Sequence, residues 1–175
     1  MFLKEDENFL SDNDKSYINS NILSNNFPWY IQTTTVKGEK NLKKYFSHYV
    51  LRRPEERKKD EVFNSPQSEF CVNILNSFCN KHKIKVNKIL RICFNLTYNN
   101  GYKKCDVHED HNYNHKQLLI YLNDCEKKSY TVVIDDNKKI KINPKKFKGV
   151  CFDKKPHYHY YPKKEIRIVL IITFR

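Results

Sequence analysis

Only three glycines and one methionine occur in the 175 residues, and no apolar run approaches the roughly twenty residues needed to cross a bilayer. Scarce glycine beside 39% hydrophobic and 14% aromatic residues excludes a disordered chain and points to a folded one. The start, Met1-Phe2-Leu3-Lys4-Glu5-Asp6-Glu7, has no basic stretch followed by an apolar one, so no secretory signal is expected and a soluble, cytoplasmic protein is. The six cysteines (Cys71, Cys79, Cys93, Cys105, Cys125 and Cys151) form no CxxC pair, so they read as free thiols in a reducing compartment rather than as disulfides or a structural zinc site. Internal repeats, low-complexity tracts and signs of a second domain are also missing. Residues 1–175 therefore read as one domain, large enough to bury a core without staples.

Charge is abundant. Lys plus Arg number 33 against 20 acidic residues, a net charge of +13, which suits an anionic partner such as nucleic acid. The lysines, however, come as scattered pairs, among them Lys103-Lys104, Lys127-Lys128, Lys145-Lys146 and Lys163-Lys164. Pairs in loops between strands form a solvated rim, and that plainer reading is preferred.

The N-terminal part, residues 1–88, reads as a helical and mixed support region. Tyr17, Ile18 and Ile22 suit a short amphipathic helix begun near Asp12 or Asp14 and stopped by Phe27-Pro28. Strands are expected over residues 32–36 and 45–51, with a charged, exposed loop over residues 52–60. Ser65 as cap and Pro66 in the first turn open the clearest helix, whose buried stripe is Cys71, Ile74, Leu75 and Phe78. His48 and His82 lack partners at ligand spacing and read as structural or surface residues.

From Leu90 onward the pattern is that of short strands and turns. The even positions from Leu90 to Tyr98 are apolar, which places Tyr98 on the inward face with Ile92, Phe94 and Leu96. Further strands are expected near residues 105–109, 118–122, 130–134, 139–142, 150–152 and 166–174. The last is apolar on both faces, so it lies between a helix layer and an interior cavity, with Arg167 facing the cavity. Together these elements argue an α+β, mainly β protein: a sandwich or barrel with helices packed on one sheet.

The chemistry concentrates at His108-Glu109-Asp110. A His and an Asp two apart on an extended chain point to the same side, so both can reach one metal ion. Chance predicts about 0.4 such pairs for this composition; the weight comes from the combination with His157 downstream and Arg167 on a buried strand. Two histidines and a carboxylate are the ligand set of non-haem Fe(II) oxygenases, which leaves one face of the metal open. An arginine on an apolar strand is costly unless it meets an anion, and its planar fork matches a carboxylate. The plainer alternative pairs Arg167 with a protein acid and leaves the others as ordinary polar residues. His111 and His115 read as rim or substrate-side residues rather than ligands.

The C-terminal half resembles the 2-oxoglutarate- and Fe(II)-dependent oxygenases, above all the prolyl-hydroxylase-like branch and its small phage-encoded relatives. The resemblance is carried by Asn95-Leu96-Thr97-Tyr98, His108-Glu109-Asp110, Tyr121-Leu122-Asn123, Pro156-His157 and Arg167-Ile168-Val169-Leu170 over residues 89–174. Phe27-Pro28-Trp29-Tyr30 and Phe46-Ser47-His48 look like the phage-type members. It implies a double-stranded β-helix (jelly-roll, cupin-like) core over residues 89–175. It also implies His108, Asp110 and His157 as the iron ligands and catalytic centre, Arg167 as anchor of the 2-oxoglutarate C5 carboxylate, and Tyr98 as a cosubstrate-pocket residue. The cofactors implied are Fe(II), 2-oxoglutarate and O2, with ascorbate as an auxiliary. The substrate implied is a protein side chain such as proline, and a phage-encoded member would work in its host's cytoplasm. A nucleic-acid oxygenase or demethylase, and a non-catalytic binding module, are the alternatives. Two departures stand out. Ile120 occupies the position of a second pocket tyrosine, and His159 lies close enough to His157 to compete as ligand.

Overall fold

Ser11 begins the first helix through a reciprocal cap: its hydroxyl accepts the Asp14 amide at 3.1 Å, and the Asp14 carboxylate accepts the Ser11 amide at 2.9 Å. Helix α1 (Asp12–Tyr17) then widens into a π-helical turn, Ile18–Ile22, which buries Ile18 and Ile22. The computed structural model describes residues 2–34, 43–57, 63 and 65–175. Helix α2 (Ser68–Lys81) buries Cys71, Ile74, Leu75, Phe78 and Cys79, the stripe expected from its spacing. Ser65 is not its cap. Its hydroxyl accepts the Gln67 amide at 3.2 Å and bonds His48 Nε2 at 2.7 Å, so a turn precedes the helix.

The rest is antiparallel sheet. The strands are β1 (Leu3–Asp6), β2 (Tyr30–Gln32), β3 (Tyr45–Leu51), β4 (Ile89–Thr97), β5 (Lys116–Tyr121), β6 (Thr131–Asp135), β7 (Lys138–Ile142), β8 (Gly149–Asp153), β9 (His157–His159) and β10 (Arg167–Phe174). Among the described residues seven form one sheet in the order β1-β8-β5-β10-β4-β3-β2, and three form a second in the order β7-β6-β9. The N-terminal part thus contributes three strands to the large sheet as well as the two helices. Of the strand expected over residues 32–36, only its start coincides with β2, and Thr35 and Val36 lie outside the described residues. Within the charged loop, Pro54–Glu56 makes a 3-10 turn, and residues 58–60 are outside the described residues. The segment at residues 105–109 is not a strand; it is extended chain joined to its neighbours by isolated bridges at Lys104–Tyr160 and His108–His157.

The large sheet is buried on both sides, and strand parity sorts its residues. Leu118 and Ile120 of β5, Ile92 and Phe94 of β4, and Ile168, Leu170 and Ile172 of β10 pack with the helices in one core. Gly149 belongs to this face, where a Cβ would stand 2.7 Å from the Phe9 ring and 3.0 Å from that of Phe78, so only glycine lets the strand approach. On the other face Leu119, Tyr121, Val150, Phe152 and Val169 meet Val133 and Ile142 of the small sheet. Between the two sheets, beside this second core, lies a cavity. All six cysteines are free, and no helix among the described residues is long and apolar enough to cross a membrane.

Candidate functional site

The cavity measures about 280 Å³, just below the usual range of small-molecule pockets, about 300–1,000 Å³. Its walls come from the odd positions of β4 and β10, namely Arg91, Asn95, Thr97, Arg167, Val169 and Ile171. Gln117 and Leu119 of β5, Tyr45 and Tyr49 of β3, Thr131 of β6, and His157, Tyr158 and His159 of β9 add to them, with Gln32, Thr34, Arg53 and Glu56 also on the lining. His108 and Asp110 enter from the bridged segment before β5, so the structure brings His108, Asp110, His157 and Arg167 to one cavity.

The two histidines are held side by side by the chain itself. The His108 amide donates to the His157 carbonyl at 3.0 Å, and the His157 amide donates back at 2.9 Å. The rings stand 4.5 Å apart between centroids. Each Nδ1 lies 2.9 Å from the carbonyl two residues earlier, Asp106 for His108 and Lys155 for His157. A carbonyl can only accept, so Nδ1 carries a proton in both rings, and in the neutral tautomer this leaves Nε2 to present a lone pair. Burial, then the neighbouring His108 ring, push His157 down to about 4, so it is neutral at pH 7, as a metal ligand must be.

Asp110 is fixed from one side. Its Oδ1 accepts Arg91 Nη1 at 2.8 Å and Arg53 Nη2 at 3.2 Å, while its buried Oδ2 has no hydrogen-bond partner. Burial alone would raise the carboxyl's pKa, but Arg91 first, then the two histidines and Arg53, outweigh it and hold the group well below the usual carboxylate range. Oδ2 lies 3.7 Å from His157 Nε2. Two atoms bound to one ion at about 2.1 Å and at a right angle are about 3 Å apart, so a shift of under about 1 Å would bring this pair to ligating separation. Among the described residues no three His, Cys, Asp or Glu side chains stand ready-arranged around an ion. The donor set nonetheless fits Fe(II): two imidazole lone pairs and one orphaned carboxylate oxygen border the same space.

At the other end Arg167 Nη2 donates to Thr131 Oγ1 at 3.0 Å, and the Tyr121 hydroxyl bonds the same oxygen at 2.8 Å. Arg167 is buried, its Nε has no partner, and among the described residues no carboxylate pairs with it. The alternative of a protein acid for Arg167 is therefore not met there.

Tyr98 requires a correction. It lies just beyond β4 with its ring 5.8 Å from that of Phe46, and it does not line the cavity. Alternation correctly grouped Tyr98 with Ile92 and Phe94, but that is the helix-facing side. The tyrosine beside Arg167 is Tyr121, whose ring lies 5.3 Å from the guanidinium. Its signal is Gln117, a polar residue of the same parity in a strand that is apolar from Leu118 onward. Arg91 was also missed, although the reasoning applied to Arg167, a charge on a buried strand, fits it equally. His111 and His115 are buried rather than on the rim, with His111 Nε2 bonded to Thr173 Oγ1 at 2.8 Å. His48 sits between the Pro28 carbonyl and Ser65, and His82 pairs with Asp6 at 2.8 Å; both are structural.

No protein-family model and no curated protein matches the sequence. Solved structures do. An oxidoreductase of the 2-oxoglutarate–Fe(II) oxygenase family from Burkholderia pseudomallei is 16% identical at a TM-score of 0.72, with 95% of this chain and 80% of that one covered. The viral collagen prolyl hydroxylase of Paramecium Bursaria Chlorella virus-1, solved as its 2-oxoglutarate complex, is 17% identical at 0.59 over 100% and 96%. A Trichoplax adhaerens prolyl hydroxylase, bound to a hypoxia inducible factor oxygen degradation domain peptide fragment, is 14% identical at 0.62 over 98% and 82%. The fold is that of the 2-oxoglutarate–Fe(II) oxygenases. Identities this low carry the fold alone.

Proposed function

We propose that the protein is a 2-oxoglutarate- and Fe(II)-dependent dioxygenase that hydroxylates a protein or peptide side chain, with proline the leading candidate. The observation that carries this reading is the division of one cavity. At one end are two Nε2 lone pairs and an orphaned Asp110 oxygen; at the other is a buried arginine that no acid among the described residues pairs with. The double-stranded β-helix, in which the two sheets face each other across such a site, is the architecture we assign.

His108, Asp110 and His157 would hold Fe(II). Bound there with 2-oxoglutarate and O2, the metal would supply the oxidising power to hydroxylate an unactivated C–H bond, with succinate and CO2 as coproducts. The chain's own part is positioning. Arg91 and Arg53 keep Asp110 ionised and leave Oδ2 free. Arg167, steadied by Thr131 and Tyr121, supplies the positive charge that a dicarboxylate's far end requires. Leu119, Val169 and Ile171 form an apolar wall that limits water around the reacting centre. His108 is only half-buried, which leaves that side open to a substrate.

The Trichoplax neighbour's bound peptide supports a peptide substrate, six free thiols suit a reducing compartment such as the cytoplasm, and Phe27-Pro28-Trp29-Tyr30 supports kinship with the small phage-encoded members. Oxygen uptake tests the reading: the Fe(II)-loaded protein consumes O2 only when 2-oxoglutarate is added, and Asp110→Ala does not. A proline-containing peptide that gains one oxygen in mass under these conditions identifies the substrate class. No uptake by the intact protein would leave a non-catalytic module.

A further inference from the structure

His159 lines the cavity, and the proposed reaction leaves its chemistry unused. It stands opposite Thr131 in the β6–β9 register, and directly opposed residues of an antiparallel pair share a face with Cβ atoms about 4.5–5.5 Å apart. Thr131 is the side chain that Arg167 Nη2 holds at 3.0 Å, so Arg167, Thr131 and His159 gather at the same end of the cavity. His159 Nε2 and Arg167 Nε are both buried and without a partner. Two neighbouring orphans in one native cavity call for a common ligand, because a buried donor or acceptor left without a partner is costly.

The ring's other nitrogen says what kind of ligand. His159 Nδ1 lies 3.2 Å from Cys105 Sγ, and the same sulfur accepts the His159 amide at 3.2 Å. The Cys105 amide in turn donates to the His159 carbonyl at 3.1 Å, so ring and thiol are locked together by a backbone pair. Sulfur is a weak acceptor and an imidazole nitrogen a good one, so the thiol S–H donates to Nδ1 and the ring proton sits on Nε2. His159 then offers the cavity an N–H, as Arg167 does. Two donors turned into one space are satisfied together by an anion with two oxygens, a carboxylate. His157 and His159 lie on the same face, two residues apart, a rise of about 7 Å along the strand. That spacing suits a short dicarboxylic acid with one end at His157 and the other at His159.

We infer that His159 is a positioning residue that donates its Nε2–H to the far carboxylate of the bound dicarboxylate cosubstrate, with Cys105 fixing the tautomer that makes it a donor. This deepens the proposed oxygenase reading and rests on it. It also assigns His159 a role other than that of rival metal ligand to His157.

Equilibrium binding tests it without turnover. Wild type, His159→Leu, His159→Gln and Cys105→Ala are titrated calorimetrically with Mn(II), and the loaded proteins are then titrated under nitrogen with 2-oxoglutarate and with pyruvate, which lacks the far carboxylate. Mn(II) affinity is expected to be unchanged throughout. Affinity for 2-oxoglutarate falls about ten- to a hundredfold in His159→Leu, as for loss of one hydrogen bond to a charged group. It is largely restored in His159→Gln, which keeps an N–H, and falls less in Cys105→Ala, where the ring survives but its tautomer is no longer fixed. Pyruvate binds all four alike. Equal 2-oxoglutarate affinity in wild type and His159→Leu overturns the inference and leaves the oxygenase reading standing. Loss of Mn(II) in His159→Leu also overturns it, by making His159 a ligand. If wild type binds Mn(II) but no 2-oxoglutarate, the oxygenase reading itself fails.

Discussion

Arg91→Met in the metal-free protein isolates the interaction on which the site's electrostatics depend. The Arg91 and Asp110 side chains are 4% and 3% exposed, and their charged atoms meet at 2.8 Å. Methionine fills much of the space of the arginine stem but leaves the buried carboxylate with Arg53 alone, at 3.2 Å and from a side chain that is 29% exposed. Stranding one partner of a buried pair costs about 3–5 kcal/mol. The remaining contact places this case at the lower end, about 3 kcal/mol, or a fall of about 6–12 °C in Tm for a chain of this size. Urea unfolding followed by circular dichroism at pH 7 measures it. The reasoning also fixes the double variant: Arg91→Met with Asp110→Asn removes both charges and should be more stable than Arg91→Met alone. A single variant that loses under about 1 kcal/mol, or a double variant less stable than the single, would refute the picture of Arg91 as the main counter-charge of Asp110.

Acid should destabilise the metal-free protein well before its carboxylates titrate. Burial pushes His157 and His111 down to about 4 and lowers His48, whereas the unfolded chain protonates these rings near 6.5. As pH falls below about 6.5 the unfolded state takes up protons that the native state refuses, so stability present above 6.5 is lost progressively down to about 4. For His157 alone the loss at pH 5 is about 2 kcal/mol, and a urea midpoint that is flat between pH 7.5 and 5 would contradict it. Gly149→Ala should lower stability by about 1–3 kcal/mol, because the added methyl meets the Phe9 and Phe78 rings; an unchanged Tm would show that those rings yield freely. The net charge of +13 should give only weak, salt-sensitive binding to nucleic acid. Filter binding of single-stranded DNA that stays tight at 0.15 M salt would favour the nucleic-acid alternative over the peptide one.

Much of the site was legible in the sequence because strand periodicity is local. The two-sided apolar pattern of β10 placed Arg167 toward the cavity, and the i, i+3, i+4 stripe of α2 marked the face it buries. What could not be read is non-local. Alternation says which residues of β4 and β5 share a face, but in a sheet covered on both sides it does not say which face borders the cavity; hence it points to Tyr98 rather than to Tyr121. Strand β9 spans only His157–His159, too short for any period, and exists because it pairs with β6 and bridges to His108. Polar β1 likewise owes its place to its pairing with β8. Arg53 reaches Asp110 from a loop distant in sequence, a contact with no trace in local pattern.

The central claim is that His108, Asp110 and His157 share one ion beside an arginine that holds a dicarboxylate. Anaerobic titration of the metal-free protein with Fe(II) and 2-oxoglutarate, read in the visible spectrum with Asp110→Ala and Arg167→Leu alongside, tests it most directly. The account predicts a weak charge-transfer band that needs both additions, is absent in Asp110→Ala, and in Arg167→Leu requires far more 2-oxoglutarate. A wild-type spectrum that stays flat through saturating additions, or an equal band in Asp110→Ala, would contradict it.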